Sequence, residues 1–166
     1  MSSYGLKSLL LQVAQNENNE YWYVPLSKAL SGLSAEMGAW KPGGSVNTIW
    51  QTLNHMNYYN QKILNKLTGN KEAKDGLTNI ETFGSPGDPS DETAFAATCQ
   101  KAENLYSLIR KELENMEKKG LSPEGMGTVD QTFLTEELPQ WVQHDAYHIG
   151  QIVLIRKLRG DWKNNQ

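Results

Sequence analysis

One cysteine, Cys99, stands in 166 residues, which excludes an internal disulfide and a cysteine-based zinc cluster and fits a reducing compartment. Long apolar runs are missing too. Stretches such as "IVLI" at 152–155 fall far short of the roughly 18 residues that a membrane-spanning helix requires. Neither sign of charge dominates: 16 Lys and Arg face 19 Asp and Glu, a net of -3, so there is no basic footprint for nucleic acid or an anionic membrane. The opening "MSSYGLKSLLLQVAQ" is interrupted by Lys7, Ser8 and Gln12 and lacks the uninterrupted apolar core of a secretory signal. The expectation is a soluble, cytoplasmic protein, a single domain over 1–166 that engages neither membrane nor nucleic acid.

Sustained strand-type alternation is absent as well, whereas apolar residues recur at helical spacing in four long segments. The first carries Leu6, Leu9, Leu10 and Val13, breaks at "NENNE" and resumes through "YWYVPLSKALSGL", where Pro25 suits a first helical turn. Ser34 is placed to cap a short turn before Pro42, Gly43 and Gly44 end it. The second segment, about 45 to 68, aligns Val46, Ile49, Leu53, Met56, Ile63 and Leu67 and stops at Gly69. Residues 69–90 are rich in Gly, Pro, Asp and Ser and read as a loop, long enough for a crossover or a lid.

Ser90 is the expected cap of the third helix, whose seam runs Phe95, Cys99, Ala102, Tyr106, Ile109, Leu113 and Met116. After Gly120, Gly125 and Gly127, Thr135 marks the expected start of a fourth helix that ends at Gly160. Four amphipathic helices joined by uneven loops make an all-α four-helix bundle, although the 69–90 loop leaves a simple up-and-down path open to question. No internal repeat is present.

The chain has three histidines. His144 and His148 are one helical turn apart and point the same way, on a stripe that reads Trp141, His144, His148, Gln151, Ile155, Leu158. Polar groups on a core-facing stripe cost about 1 to 3 kcal/mol each unless satisfied. His55, midway along the second segment, also borders the core. If the second and fourth helices are neighbours, His55 supplies a third nitrogen, and three imidazoles with an open position describe a reactive metal centre. The alternative is three hydrogen-bonded helix histidines with no ion.

Around that set, Gln151 is placed either to hold a metal-bound species or to orient His148; ordinary packing is its alternative. Asp145, one residue off the stripe, can accept from a ligand imidazole, although a partly exposed helix residue is the plainer reading. Trp141, Tyr59, Trp50 and Trp22, with Tyr58, are candidates for an aromatic pocket wall, with core filling as the alternative; Trp141, one turn before His144, is the best placed. Cys99 reads as a buried structural thiol. "RKLRG" at 156–160 places cations where a helix C-terminus favours them.

A lone histidine on the second helix followed, after a long gap, by "HDAYHIGQI" resembles the DinB-like superfamily, also called YfiT-like or damage-inducible. "PLSKALSGLSAEMGAWKP" and "TIWQTLNHMNYYNQKILNKLTG" share the resemblance, while 70–135 shares only helical character. It implies a four-helix bundle holding a divalent metal, usually zinc or nickel, on His55, His144 and His148, and commonly a homodimer. Some members transfer low-molecular-weight thiols such as bacillithiol to small molecules, and many have no established activity. The expectation is therefore a metal-dependent thiol transferase acting on electrophilic small molecules. A metal-dependent hydrolase, and a non-catalytic metal-stabilised module of stress response or interaction, are the alternatives.

Overall fold

The computed structural model describes residues 3–70, 76–120 and 129–162. Gly125 and Gly127, expected as breaks, lie outside them. Described residues form helices, turns and loops, with no strand among them. The helices are α1 (Ser3–Glu17), α2 (Leu26–Leu30), α3 (Ala35–Ala39), α4 (Ile49–Thr68), α5 (Glu92–Lys119) and α6 (Leu138–Arg159). A 3-10 turn, Glu81–Phe83, stands between α4 and α5, and a π-helical turn, Phe133–Glu137, leads into α6. No described helix is long and apolar enough to cross a membrane.

The four long helices form a ring of neighbours, α1 on α5, α5 on α4, α4 on α6 and α6 on α1. Each turns a stripe inward: Leu6, Leu9 and Val13 from α1, Leu53, Met56 and Ile63 from α4, Phe95, Tyr106 and Ile109 from α5, and Trp141, Ile149 and Ile152 from α6. Burying each large apolar side chain contributes about 1.5 to 3 kcal/mol, so this shared interior is the main source of stability. Polar ties brace the helices as well. Arg110 pairs with Glu17 at 2.6 Å, linking α5 to α1. Arg156, one of the cations expected near the C-terminus of this helix, is buried, and its guanidinium donates to the Ala29 carbonyl at 2.6 Å.

Helix boundaries follow the side chains that satisfy free backbone groups. In α4 the hydroxyl of Thr48 accepts from Gln51 N while the Gln51 side chain accepts from Thr48 N, a reciprocal cap that starts the helix at 49 rather than 45. Val46 is left outside the helix and exposed. Asp91, not Ser90, caps α5, because its carboxylate accepts from Ala94 N at 2.9 Å while Ser90 is engaged with Asp88. The fourth helical segment likewise begins before Thr135, where Asp130 accepts from Phe133 N at 2.7 Å. Leu158 faces solvent rather than the core stripe. Gly69 and Gly160, both left-handed, close α4 and α6 as expected.

Residues 76–90 do not stand off as a lid. Thr48 donates to the Pro86 carbonyl at 2.9 Å, Gln51 to Gly84 at 3.1 Å and Asn54 to Phe83 at 3.3 Å, stitching the segment along α4. Gly87 lies so close to the Trp50 ring that an added Cβ would stand 2.2 Å from it. This stitched segment brings the 3-10 turn to the middle of α4, beside His55.

Candidate metal centre

Between α4 and α6, the two helices bring all three histidines together. Nε2 of His144 lies 3.0 Å from Nε2 of His55 and 3.1 Å from Nε2 of His148. His55 and His148 are buried, whereas the His144 side chain is 33 % exposed and forms the open side of the cluster.

Each ring has its other nitrogen engaged. The His55 Nδ1–H donates to the Thr82 hydroxyl at 2.6 Å, and that hydroxyl donates onward to the Asn79 carbonyl at 2.6 Å. With its own proton committed, Thr82 can only accept from His55. The His144 Nδ1–H donates to Asp145 Oδ1 at 2.9 Å, and the His148 Nδ1–H donates to Gln151 Oε1 at 2.7 Å. Protons on all three Nδ1 atoms leave lone pairs on all three Nε2 atoms, and these converge.

Three lone pairs facing one another at such distances repel unless a cation lies between them. Burial, and then the neighbouring imidazoles His148 and His144, push the His55 pKa down to about 4, so His55 does not itself carry that charge near neutral pH. Burial lowers His148 as well. A divalent ion about 2.0 to 2.1 Å from each nitrogen sets neighbouring nitrogens about 2.9 Å apart at octahedral angles and about 3.3 Å apart at tetrahedral ones. The two spacings from His144, 3.0 and 3.1 Å, fall between. The three nitrogens can hold a metal ion.

Asp145 strengthens the fit. Expected as partly exposed, it is fully buried, because its side chain turns inward between His144 and the Tyr106 hydroxyl, which donates to Oδ2 at 2.6 Å. Among the described residues its ion-pairing partner is His144, with no lysine or arginine beside it. A buried carboxylate surrounded by neutral donors calls for a positive charge nearby.

Aromatic rings wall the cluster. His55 stacks on Phe83, Tyr59 meets His55 and His144 edge-on, and the Tyr59 hydroxyl donates to Asn79 at 3.0 Å. A cleft of about 520 Å³ opens from His144 along α4 and α6, lined by Tyr59, Ile63, Lys66 and Trp141 among others. Trp141 is fixed there by its indole N–H donating to Asn60 at 2.6 Å. The other aromatic candidates lie elsewhere. Trp50 packs in the core on Phe95, Trp22 is exposed beside Tyr21, and Tyr58 lines a separate cleft with Asn57 and Lys101. Cys99 is half-buried on α5, its thiol pushed up to about 12 by burial and by Glu103, which leaves it unreactive.

Sequence reasoning passed over Thr82, Phe83 and Tyr106. A signal for the first two was present in "TNIE" at 78–81, a Thr-x-x-Glu start: Glu81 accepts from the Thr78 N–H and hydroxyl, both at 2.7 Å, and so nucleates the turn that delivers Thr82 and Phe83. Tyr106 lies on a predicted core seam, and nothing in its spacing marks a polar partner.

A helical protein with a three-histidine cluster between two of its long helices is the class so defined. Residues 25–152 match the family model of the DinB superfamily, and the chain belongs to that superfamily. No curated protein and no solved structure matches it.

Proposed function

We propose that this protein is a metal-dependent enzyme that transfers a low-molecular-weight thiol, of which bacillithiol is one example, to electrophilic small molecules, using a zinc or nickel ion on His55, His144 and His148. The observation that carries the reading is the convergence of three imidazole Nε2 atoms beside a cleft, with His144 exposed on the cleft side. Three protein ligands and one open side are the arrangement of reactive rather than closed structural sites. When bound, a divalent ion there lowers the pKa of a thiol or of water and so makes a nucleophile near neutral pH.

The chain's own residues do the rest. Thr82, Asp145 and Gln151 keep the three Nε2 lone pairs aimed at one point. Trp141 and Ile63 give the cleft an apolar wall on which a substrate body can rest and from which water is displaced, while Lys66, paired with Glu137, stands at its rim. We extend the proposal to a homodimer, for which the exposed residues Tyr147, Leu154 and Leu158 of α6 offer an apolar face.

Metal analysis of the wild type beside His55→Ala and His144→Ala is the first test; stoichiometric metal in both variants would remove the site. The metal-loaded protein is then offered thiols with a panel of electrophiles. Conjugation supports the transferase. Thiol-independent cleavage of esters or amides moves the protein to the hydrolases, and metal binding without any turnover leaves a metal-stabilised interaction module.

A further inference from the structure

We infer that Tyr106, on α5, is a positioning residue of the metal centre: by donating to Asp145 it fixes the His144 ring and sets how tightly and in what geometry the ion is held. The inference rests on the three-histidine reading above.

The geometry carries it. Among the described residues each carboxylate oxygen of Asp145 has its own partner: Oδ1 accepts from His144 Nδ1 at 2.9 Å, and Oδ2 accepts from Tyr106 at 2.6 Å. The short bond to Tyr106 comes from across the core, 39 residues away in sequence, so it anchors the carboxylate to a second helix rather than to its own. Both the Tyr106 and the Asp145 side chains are fully buried, where a hydrogen bond between them is strengthened by the low local dielectric. Asp145 is next to His144 on α6, and without Tyr106 its carboxylate could rotate away from the imidazole.

Tyr106 is itself held from two sides. Its ring packs against Trp141 with centroids 5.6 Å apart, and the Asn16 side chain of α1 lies beside its hydroxyl. Asn16, completely buried, also donates to the Val142 carbonyl at 2.9 Å and accepts from Tyr23 at 2.5 Å. Tyr23 donates to Asn16 and Asn16 to Val142, which ties the loop after α1 and α1 itself to α6, while Tyr106 donates to the buried Asp145 carboxylate. Burial and the Asp145 charge hold the Tyr106 hydroxyl protonated well above the ordinary tyrosine range, which keeps it a donor. The buried negative charge is thereby held one imidazole away from the point where the three Nε2 atoms meet. Partners of this kind behind a ligand typically change metal affinity about 10- to 100-fold.

The test is cobalt(II) and zinc(II) binding to the apo-protein, measured by competition with a chromogenic chelator, together with the cobalt ligand-field spectrum. Tyr106→Phe keeps the ring and its packing on Trp141 and removes one hydroxyl. The expected result is about a 10- to 100-fold loss of affinity and an altered cobalt spectrum, with helical circular dichroism unchanged. In an Asp145→Asn background the same substitution should add almost nothing, because its route runs through the carboxylate. Wild-type affinity and spectrum in Tyr106→Phe, or losses that simply add in the double variant, would overturn the inference. Should Tyr106→Phe not fold, Asp145→Asn alone decides: unchanged metal affinity there would leave Tyr106 no charge through which to act. Failure of the wild type itself to bind either ion would instead remove the three-histidine reading.

Discussion

The imidazole of His55 lies flat on the ring of Phe83, centroids 4.0 Å apart and planes 11° from parallel. The most buried of the three histidines is therefore clamped by a three-residue turn from the loop between α4 and α5, and not by the long helices alone. Phe83 presses one face while Thr82, its neighbour in the same turn, takes the ring proton.

Thr82→Val tests that clamp. Valine keeps the shape and removes the acceptor, so the His55 Nδ1–H is left unpaired in a buried site at a cost of about 1 to 3 kcal/mol, or the proton moves to Nε2 and blocks the lone pair. Either way zinc affinity should fall about 10- to 100-fold, read by chelator competition, with the thermal midpoint of the apo-protein lowered. Affinity equal to wild type would mean that Phe83 and the helix alone orient the ring.

Much of this arrangement was legible in the sequence, and the parts that were not have physical reasons. His144 and His148 announce themselves because a four-residue spacing fixes two side chains on one helix face, and the α4 and α6 stripes predict the burial of His55 and Trp141. Helix starts are ambiguous in the sequence where two capping residues stand close together, as at Ser90 and Asp91, because only the fold decides which carboxylate or hydroxyl reaches the free N–H. Tyr106 and Thr82 were hidden for a different reason. Their partners are 39 and 27 residues away, and no local period encodes a contact made across a core. Trp22 and Trp50 show the converse: composition marks them as pocket-formers, but packing sends one to the surface and the other to the core.

Acid should weaken the metal-free protein in a defined window. His55 titrates at about 4 in the folded chain because burial and its two histidine neighbours disfavour its charge, against roughly 6.5 when unfolded. A depressed histidine favours the folded state fully above the unfolded value, and that advantage is lost as pH falls from about 6.5 toward 4. His148 is shifted the same way and adds to the trend. Thermal melts of the chelator-treated protein should therefore hold steady near pH 7.5 and decline through pH 6 to 4.5. His55→Gln should flatten that slope, and an equally steep decline in the variant would count against His55 as its source.

Gly87→Ala probes the path by which the loop reaches the site. Gly87 has φ +94°, and a new Cβ would stand 2.2 Å from the Trp50 ring. Backbone strain and overpacking together should destabilise the fold by about 1 to 3 kcal/mol or more, lowering the thermal midpoint. Because the same segment delivers Thr82 and Phe83, zinc affinity should fall with it. Lost stability with fully retained affinity would show that the 3-10 turn is held independently of Gly87.

Cys99 offers the opposite expectation, since it sits on the α5 seam rather than between α4 and α6. Its thiol is raised to about 12, first by burial and then by Glu103, so at pH 8 almost none is thiolate, the only form that attacks an alkylating reagent. Iodoacetamide should label it slowly in the native protein and quickly after unfolding in guanidinium. Cys99→Ser should keep stoichiometric metal and full thiol conjugation, because the nucleophile in the proposed reaction comes from the added thiol and not from the chain. Loss of metal in that variant, or loss of conjugation with the metal retained, would give Cys99 a role that its burial and its distance along α5 from Tyr106 do not predict.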